Sequence, residues 1–297
     1  MMQVAENFLP RVRHNEPMSR HTSWHAGGTA DIYFAPRDRE DLRAFLGTVP
    51  EGTPIHFVGL GSNLLVRDGG IRGVVVATQD ALVRLERVDA TTVYGEAGVP
   101  CARIARQCVQ WQLAGAEFFA GIPGTLGGAL AMNAGAFGGE TWNCVVCVET
   151  LDRRGGEHTR VPGEYSVSYR HVSASHGEEW FAAARMTFTH SPGIDDSGVR
   201  DLLARRRESQ PIGEWSCGSV FKNPPGDHAA RLIDSAGLKG LRIGDASVSL
   251  KHANFIINHG AATAYDLEQL VQQVQARVMA AHGITLQPEV RIVGERL

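Results

Sequence analysis

No apolar run in this chain approaches the roughly 18–20 residues that a bilayer-spanning helix needs, which excludes a helical membrane span. The N-terminal stretch MMQVAENFLPRVRHNEP has no apolar core segment, so no secretory signal is expected and a cytoplasmic protein is the default. Strong charge is missing too. The net charge of −3 gives no whole-molecule field favouring nucleic acid or an anionic membrane. An anionic ligand must therefore be held by local donors. No G-K-[ST] appears, which excludes a P-loop. Gly59 and Gly61 form a G-x-G, but Leu64 stands where a third glycine belongs and a strand follows, so this is no dinucleotide fingerprint.

The five cysteines, Cys101, Cys108, Cys144, Cys147 and Cys217, are an odd number, which argues against a disulfide framework. Cys144 and Cys147 form a C-x-x-C inside CVVCVETLD, which reads as a strand. Residues three apart on a strand face opposite ways. No second pair follows at zinc spacing, so no metal is expected.

With 43% hydrophobic and 21% charged residues, the chain should fold around a real core. Its 297 residues suit about two domains. TADIYFAP, IHFVG and GVVVAT read as strands around the helix RDREDLRAFLGT. A second strand-rich unit starts near Leu82 with ALVRLERV and TTVYGEAGV. Pro100 then opens a helix with Ile104, Ala105, Cys108 and Trp111 in one stripe. CVVCVETLD and EHTRV form a hairpin through RRGG, and YSVSYR and WFAAARMTFT complete this half. HSPGIDDSG is the expected linker. Beyond it come the helices VRDLLARRRESQ, with a solvated arginine face at 205–207, and HAARLIDSAG. LRIGDASVS and HANFIINHG read as strands. Thr263 and Asp266 begin a helix that Gly283 closes, and EVRIVG is a last strand. The pattern is α+β.

The chain's most unusual stretch is AEFFAGIPGTLGGALAMNAGAFGGE (116–140), with seven glycines and almost no side chain able to do chemistry. Alone, a glycine loop is most simply a turn. A second one, GLGSNLLVRDGG, lies in the preceding unit. Two such loops can aim backbone N–H groups at one diphosphate, with Ser62, Asn63 and Thr125 as neutral side-chain donors.

The segments GLGSNLLVRDGGIRGVVV, GIPGTLGGALAMNAGAFGGE, YSVSYR, GSVFKNP, LIDSAGLKGLRIGDASVSLKHANFIIN and PEVRIVG occur in this order. Together they resemble the UDP-N-acetylenolpyruvoylglucosamine reductase (MurB) family of peptidoglycan synthesis, over residues 20–295. No long insertion separates Arg170 from Ser219, as in the shorter subtype. The resemblance implies a two-subdomain FAD-binding (PCMH-type) module, 1–81 and 82–192. A smaller α/β substrate-binding domain, 193–297, would follow. It implies non-covalent FAD, NADPH as co-substrate and a UDP-sugar substrate, in a monomer with neither nucleic acid nor membrane as partner. The flavin pyrophosphate would lie on Gly59, Gly61, Ser62, Asn63, Gly121, Pro123, Gly124, Thr125, Gly128 and Asn133.

The implied reaction reduces an enolpyruvyl ether. By the resemblance Ser219 is the proton donor, Arg170 binds the substrate carboxylate and enolate, and Glu289 polarises the substrate. Lys222, Asn223 and Arg291 would contact the UDP-sugar. Serine is a weak acid, but a carbanion-like intermediate is a strong enough base to accept its proton. An ionised Glu289 opposes an enolate, so it is expected to be protonated or held by Arg170. Alone, these residues would read as a turn serine, a strand-end arginine in a surface ion pair and an exposed strand glutamate. His25 stands where the family carries a basic residue before GG. Cys217 reads as a small packed residue; an accessible thiol there would make the enzyme sensitive to alkylation. Two alternatives stay open: an oxidase of the same flavoprotein superfamily and a non-enzymatic flavin or UDP-sugar binder. The oxidase leaves GSVFKNP unexplained, and the glycine loops lack the His or Cys that tethers flavin in many such oxidases.

Overall fold

The computed structural model describes residues 4–297. They pack as two compact units. One comprises residues 4–13, Tyr33–Gly59 and Val74–Arg205; the other comprises His14–Ile32, Leu60–Gly73 and Arg206–Leu297. Six α-helices are present among the described residues: α1 Arg39–Leu46, α2 Cys101–Gln110, α3 Leu126–Met132, α4 Ser197–Ser209, α5 Ala229–Ser235 and α6 Ala264–His282. None is long and apolar enough to cross a membrane.

In the first unit, Asp38 caps α1 by accepting the Asp41 N–H at 2.8 Å. The apolar face of α1 delivers Phe45 to a ring cluster, stacked on Phe34 at 3.8 Å and edge-on to Phe8 at 5.3 Å between centroids. Ile55–Val58 pairs in parallel with residues 74–77. The larger sheet is antiparallel, in the order Glu157–Arg160, Val145–Asp152, Glu179–Thr187, Thr92–Glu96, Leu85–Arg87. Its central strand holds Ala182, Ala183 and Ala184 almost fully buried. Burial on both faces therefore outweighs alanine's poor strand propensity. On α2 the stripe Ile104, Ala105 and Cys108 is fully buried.

Several segments differ from the sequence reading; HANFIINHG and EVRIVG are strand only over Ile256–Asn258 and Arg291–Val293. YSVSYR is not one strand but the first arm and turn of a hairpin, Tyr165–Ser168 against His171–Ala174, with Tyr169 and Arg170 as the turn. In ALVRLERV only Leu85–Arg87 is strand. Ala81 and Leu82 instead turn back, their N–H groups bonding to Thr78 O. LRIGDASVS folds as a hairpin, Arg242–Ile243 against Ala246–Val248, because Gly244, at φ 53°, and Asp245 make a two-residue turn.

In the second unit, Ala246–Val248 pairs also with Ile256–Asn258, and Leu64–Val66 lies parallel to Arg291–Val293. Between them sits a core that includes Trp24, Leu65, Phe221, Leu267 and Val271. Thr263 and Asp266 form a capping box on α6, and Gly283 ends it at φ 68°. A further cap comes from far away in sequence: the Asp68 carboxylate accepts Ala264 N at 3.1 Å and Tyr265 N at 2.8 Å. Beside it Arg67 grips the buried Glu268 with two bonds, 2.8 and 3.0 Å, and Arg296 adds a third at 2.9 Å.

Hydrogen bonding from Arg67, opposed by burial, holds the Glu268 carboxyl below its usual range. A carboxyl so depressed stabilises the fold above its unfolded value, about 4.3, and that contribution is lost as pH falls through the folded value. Glu268→Gln should cost about 2 kcal/mol at pH 7. In urea melts the gap between variant and parent should shrink from pH 6 to pH 3. A gap independent of pH would refute the assignment.

Candidate active site

The sequence GSVFKNP runs antiparallel to QPEV. Phe221 bridges Pro288, Glu289 N donates to Val220 O at 2.7 Å, and Lys222 N donates to Gln287 O at 2.9 Å. This pairing puts half-buried Ser219 and half-buried Glu289 on adjacent extended segments of the second unit, outside its regular strands. The serine segment is pinned from behind. Buried Asn254 accepts Phe221 N at 3.0 Å and donates to Phe221 O at 2.8 Å, and its own carbonyl accepts Val220 N at 2.9 Å. Sequence reading missed Asn254; only its place inside HANF marked it.

The GSN turn reaches the same place. Asn63 Nδ2 donates to Glu289 O at 3.1 Å, and Asn63 O accepts Arg291 N at 3.1 Å. Asn63 is thus an anchor for the segment that carries Glu289. Gly61 has φ 60°, and a Cβ there would lie 1.9 Å from His21 O, so its bareness serves backbone packing against residues 21–22. Next to it, Ser62 is half-buried in the turn.

Cys217 is buried. Burial first, and the field of Glu289 second, raise its thiol well above the ordinary value. The alkylation sensitivity that an accessible thiol would bring is therefore not expected. Cys144 is also buried and pushed up to about 12 by burial. Of the five thiols only Cys147 is partly exposed. Iodoacetamide at pH 8 should label Cys147 and spare Cys217, as read by peptide mass spectrometry. Comparable labelling of both would overturn this. No group of three or more His, Cys, Asp or Glu able to hold a metal occurs among the described residues.

Arg170 lies in the first unit, as the second turn residue of its hairpin, at φ 53°. That left-handed region costs a non-glycine residue about 1 kcal/mol or more. The guanidinium offsets it by donating to Asn133 O at 3.2 Å and Gly135 O at 2.7 Å. Asn133 itself ends α3 in the left-handed conformation. Its side chain donates to Glu140 Oε2 at 2.9 Å and Ser168 O at 3.3 Å and accepts Trp142 N at 3.1 Å. Both amide hydrogens are used inside the protein, so this side chain offers nothing to a cofactor phosphate.

The second glycine loop is partly self-satisfied as well. Leu126 N and Gly127 N, in the first turn of α3, donate to Val99 O and Ala97 O, and Gly124 O accepts Cys101 N. Gly121 ends a short 3-10 turn and Pro123 follows in the loop, while Gly128 sits inside α3. A side-chain donor is left over. Thr125 Oγ1 is buried without a hydrogen-bond partner among the described residues. A Cβ on Gly59 would approach it to 2.3 Å. An orphan hydroxyl beside a glycine fits a phosphate oxygen that accepts its proton, so this corner suits the pyrophosphate of FAD.

Lys222 is half-buried, and Asn223 and Arg291 are exposed. Asn223 Oδ1 accepts Ala229 N, the first N–H of α5, at 3.0 Å. Exposed His25, at φ 53°, faces the Trp215 ring at 4.3 Å between centroids.

Fold and site define an FAD-containing oxidoreductase of α+β class, with a PCMH-type flavin module and a smaller α/β domain. Residues 30–161 match an FAD binding domain, and residues 210–293 match the C-terminal domain of UDP-N-acetylenolpyruvoylglucosamine reductase. The reductase of that name from Alkalilimnicola ehrlichii is 57% identical, over 99% of each chain. That from Methylococcus capsulatus is 54% identical, over 95% of this chain and 92% of its own. The crystal structure of the Thermus caldophilus enzyme (MurB) superposes with a TM-score of 0.80 at 32% identity, covering 95% of this chain and 98% of that one. The chain belongs to the UDP-N-acetylenolpyruvoylglucosamine reductase family.

Proposed function

We infer that this chain reduces the enolpyruvyl ether of UDP-N-acetylglucosamine to UDP-N-acetylmuramate with NADPH, through bound FAD, as a step of peptidoglycan synthesis. The observation that supports the reading is the pairing of GSVFKNP with QPEV, in which Glu289 N bonds to the carbonyl of Val220, the residue after Ser219, in a chain of this family. Bound FAD supplies hydride transfer from NADPH to the β-carbon of the enolpyruvyl group.

We propose the following roles. Ser219 gives its hydroxyl proton to the α-carbon. Arg170 holds the carboxylate, where negative charge grows, and its permanent charge suits that task. Glu289 orients and polarises the same end of the substrate. Lys222, Asn223 and Arg291 contact the UDP-sugar. Thr125 Oγ1, with the backbone of Gly59, Gly61, Ser62, Gly121, Pro123, Gly124 and Gly128, receives the flavin pyrophosphate. The three-part division at 81/82 and 192/193 goes with this reading. So does a monomeric, cytoplasmic enzyme without nucleic-acid or membrane partners. The small net charge supports the latter.

The test is anaerobic. NADPH should bleach the yellow protein, and the UDP-enolpyruvyl sugar should then restore its colour without oxygen. Reoxidation by oxygen alone, with the sugar inert, would sink the reading in favour of an oxidase.

A further inference from the structure

Both polar atoms of the Asn133 side chain are hydrogen-bonded inside the protein, and one of the three bonds reaches the hairpin that carries Arg170. The residue is 2% exposed. Its amide bonds Ser168 O, two residues before Arg170, while its backbone carbonyl takes the Arg170 Nη1 proton. Glu140 and the Trp142 N–H fix the plane of the amide. Trp142 in turn donates its indole proton to Leu130 O at 2.8 Å, closing the bracket on α3. Asn133 and Arg170 both stand in left-handed backbone, one ending α3 and the other in the hairpin turn. Asparagine tolerates that conformation well; arginine does not. The strained residue is therefore held by the unstrained one.

We propose that Asn133 is a positioning residue that sets the place of the Arg170 guanidinium through its own carbonyl and its amide grip on Ser168. This rests on the reading of Arg170 as the carboxylate-binding arginine. Glu140 completes the device by accepting one amide proton, so the pair needs a donor on one side and an acceptor on the other. A misplacement of the guanidinium by about 1 Å can slow chemistry on the order of 100-fold.

The test uses the flavin-loaded protein. Asn133→Asp keeps the size and the left-handed preference, but turns a donor into a carboxylate facing Glu140. Reoxidation of the reduced flavin by the UDP-enolpyruvyl sugar should slow about 10- to 100-fold, and by at least ten times more than NADPH-driven reduction slows. Adding Glu140→Gln relieves the clash of two carboxylates but leaves Ser168 O without its amide donor, so it should recover only part of that loss. In an Arg170→Ala background, Asn133→Asp should slow reoxidation less than about twofold further, while lowering the melting temperature as much as in the parent. If Asn133→Asp does not fold, Asn133→Gly, which keeps the backbone conformation, carries the same expectations with and without Arg170. Equal slowing by Asn133→Asp with and without Arg170 would overturn the proposal. So would full recovery with Glu140→Gln, since Ser168 O would still lack its donor. If Arg170→Ala itself leaves reoxidation within about threefold of the parent, the role given to Arg170 falls first and the proposal with it.

Discussion

Ser219→Ala should slow reoxidation of the reduced flavin by the UDP-enolpyruvyl sugar about 10²–10⁴-fold, the usual worth of a positioned general acid, and slow NADPH-driven reduction far less. The reason is local. Val220 and Phe221 are buried beside the serine and locked by Asn254 and Glu289, so losing one hydroxyl leaves the backbone where it was. What disappears is one proton at one atom, and only the step that needs it should respond. Stopped-flow absorbance, with reduction and reoxidation recorded separately, makes the measurement. Equal slowing of both steps would remove Ser219 from the proton-donor role and recast it as a packing residue.

How much of this was legible depended on whether the signal was local. The caps of α6 are spelled within a few residues by Thr263, Asp266 and Gly283 and stand as read; the stripe on α2 is spelled by its spacing and holds for Ile104, Ala105 and Cys108, while Trp111 falls just past the helix end and is half-buried. The Asp68 cap and the alignment of Leu64 with Arg291 join residues some 200 positions apart, which no local pattern encodes. The Arg170 turn is illegible for a different reason. Arginine at φ 53° contradicts its own preference, and the conformation exists because Asn133 O and Gly135 O hold the side chain. The glycine loops were legible as unusual, but their bareness has two causes. Gly61 makes room for His21, whereas Gly59 opens toward the orphan hydroxyl of Thr125. Sequence alone could not separate packing within the chain from room for a ligand.

Trp24→Ala should cost about 3–5 kcal/mol, the usual range for emptying an aromatic site in a core, against a total stability of roughly 5–15 kcal/mol. TSWHAGG drew notice for His25, yet the residue before it bears more of the structure. Trp24 is fully buried in the second unit, and its indole N–H donates to Ile256 O at 2.8 Å. Its carbonyl accepts Asn258 Nδ2 at 2.7 Å, and the Asn258 N–H reaches Trp215 O at 3.0 Å, four residues before Ser219. Alanine therefore leaves both a cavity and an unpaired Ile256 carbonyl, two penalties that add. Trp24→Phe fills most of the space and strands only the carbonyl, so it should cost about 1–3 kcal/mol. Urea unfolding of the apo and flavin-loaded proteins gives both values. The tryptophan would lose its place as the keystone of this unit if alanine cost less than about 1 kcal/mol, as surface substitutions do.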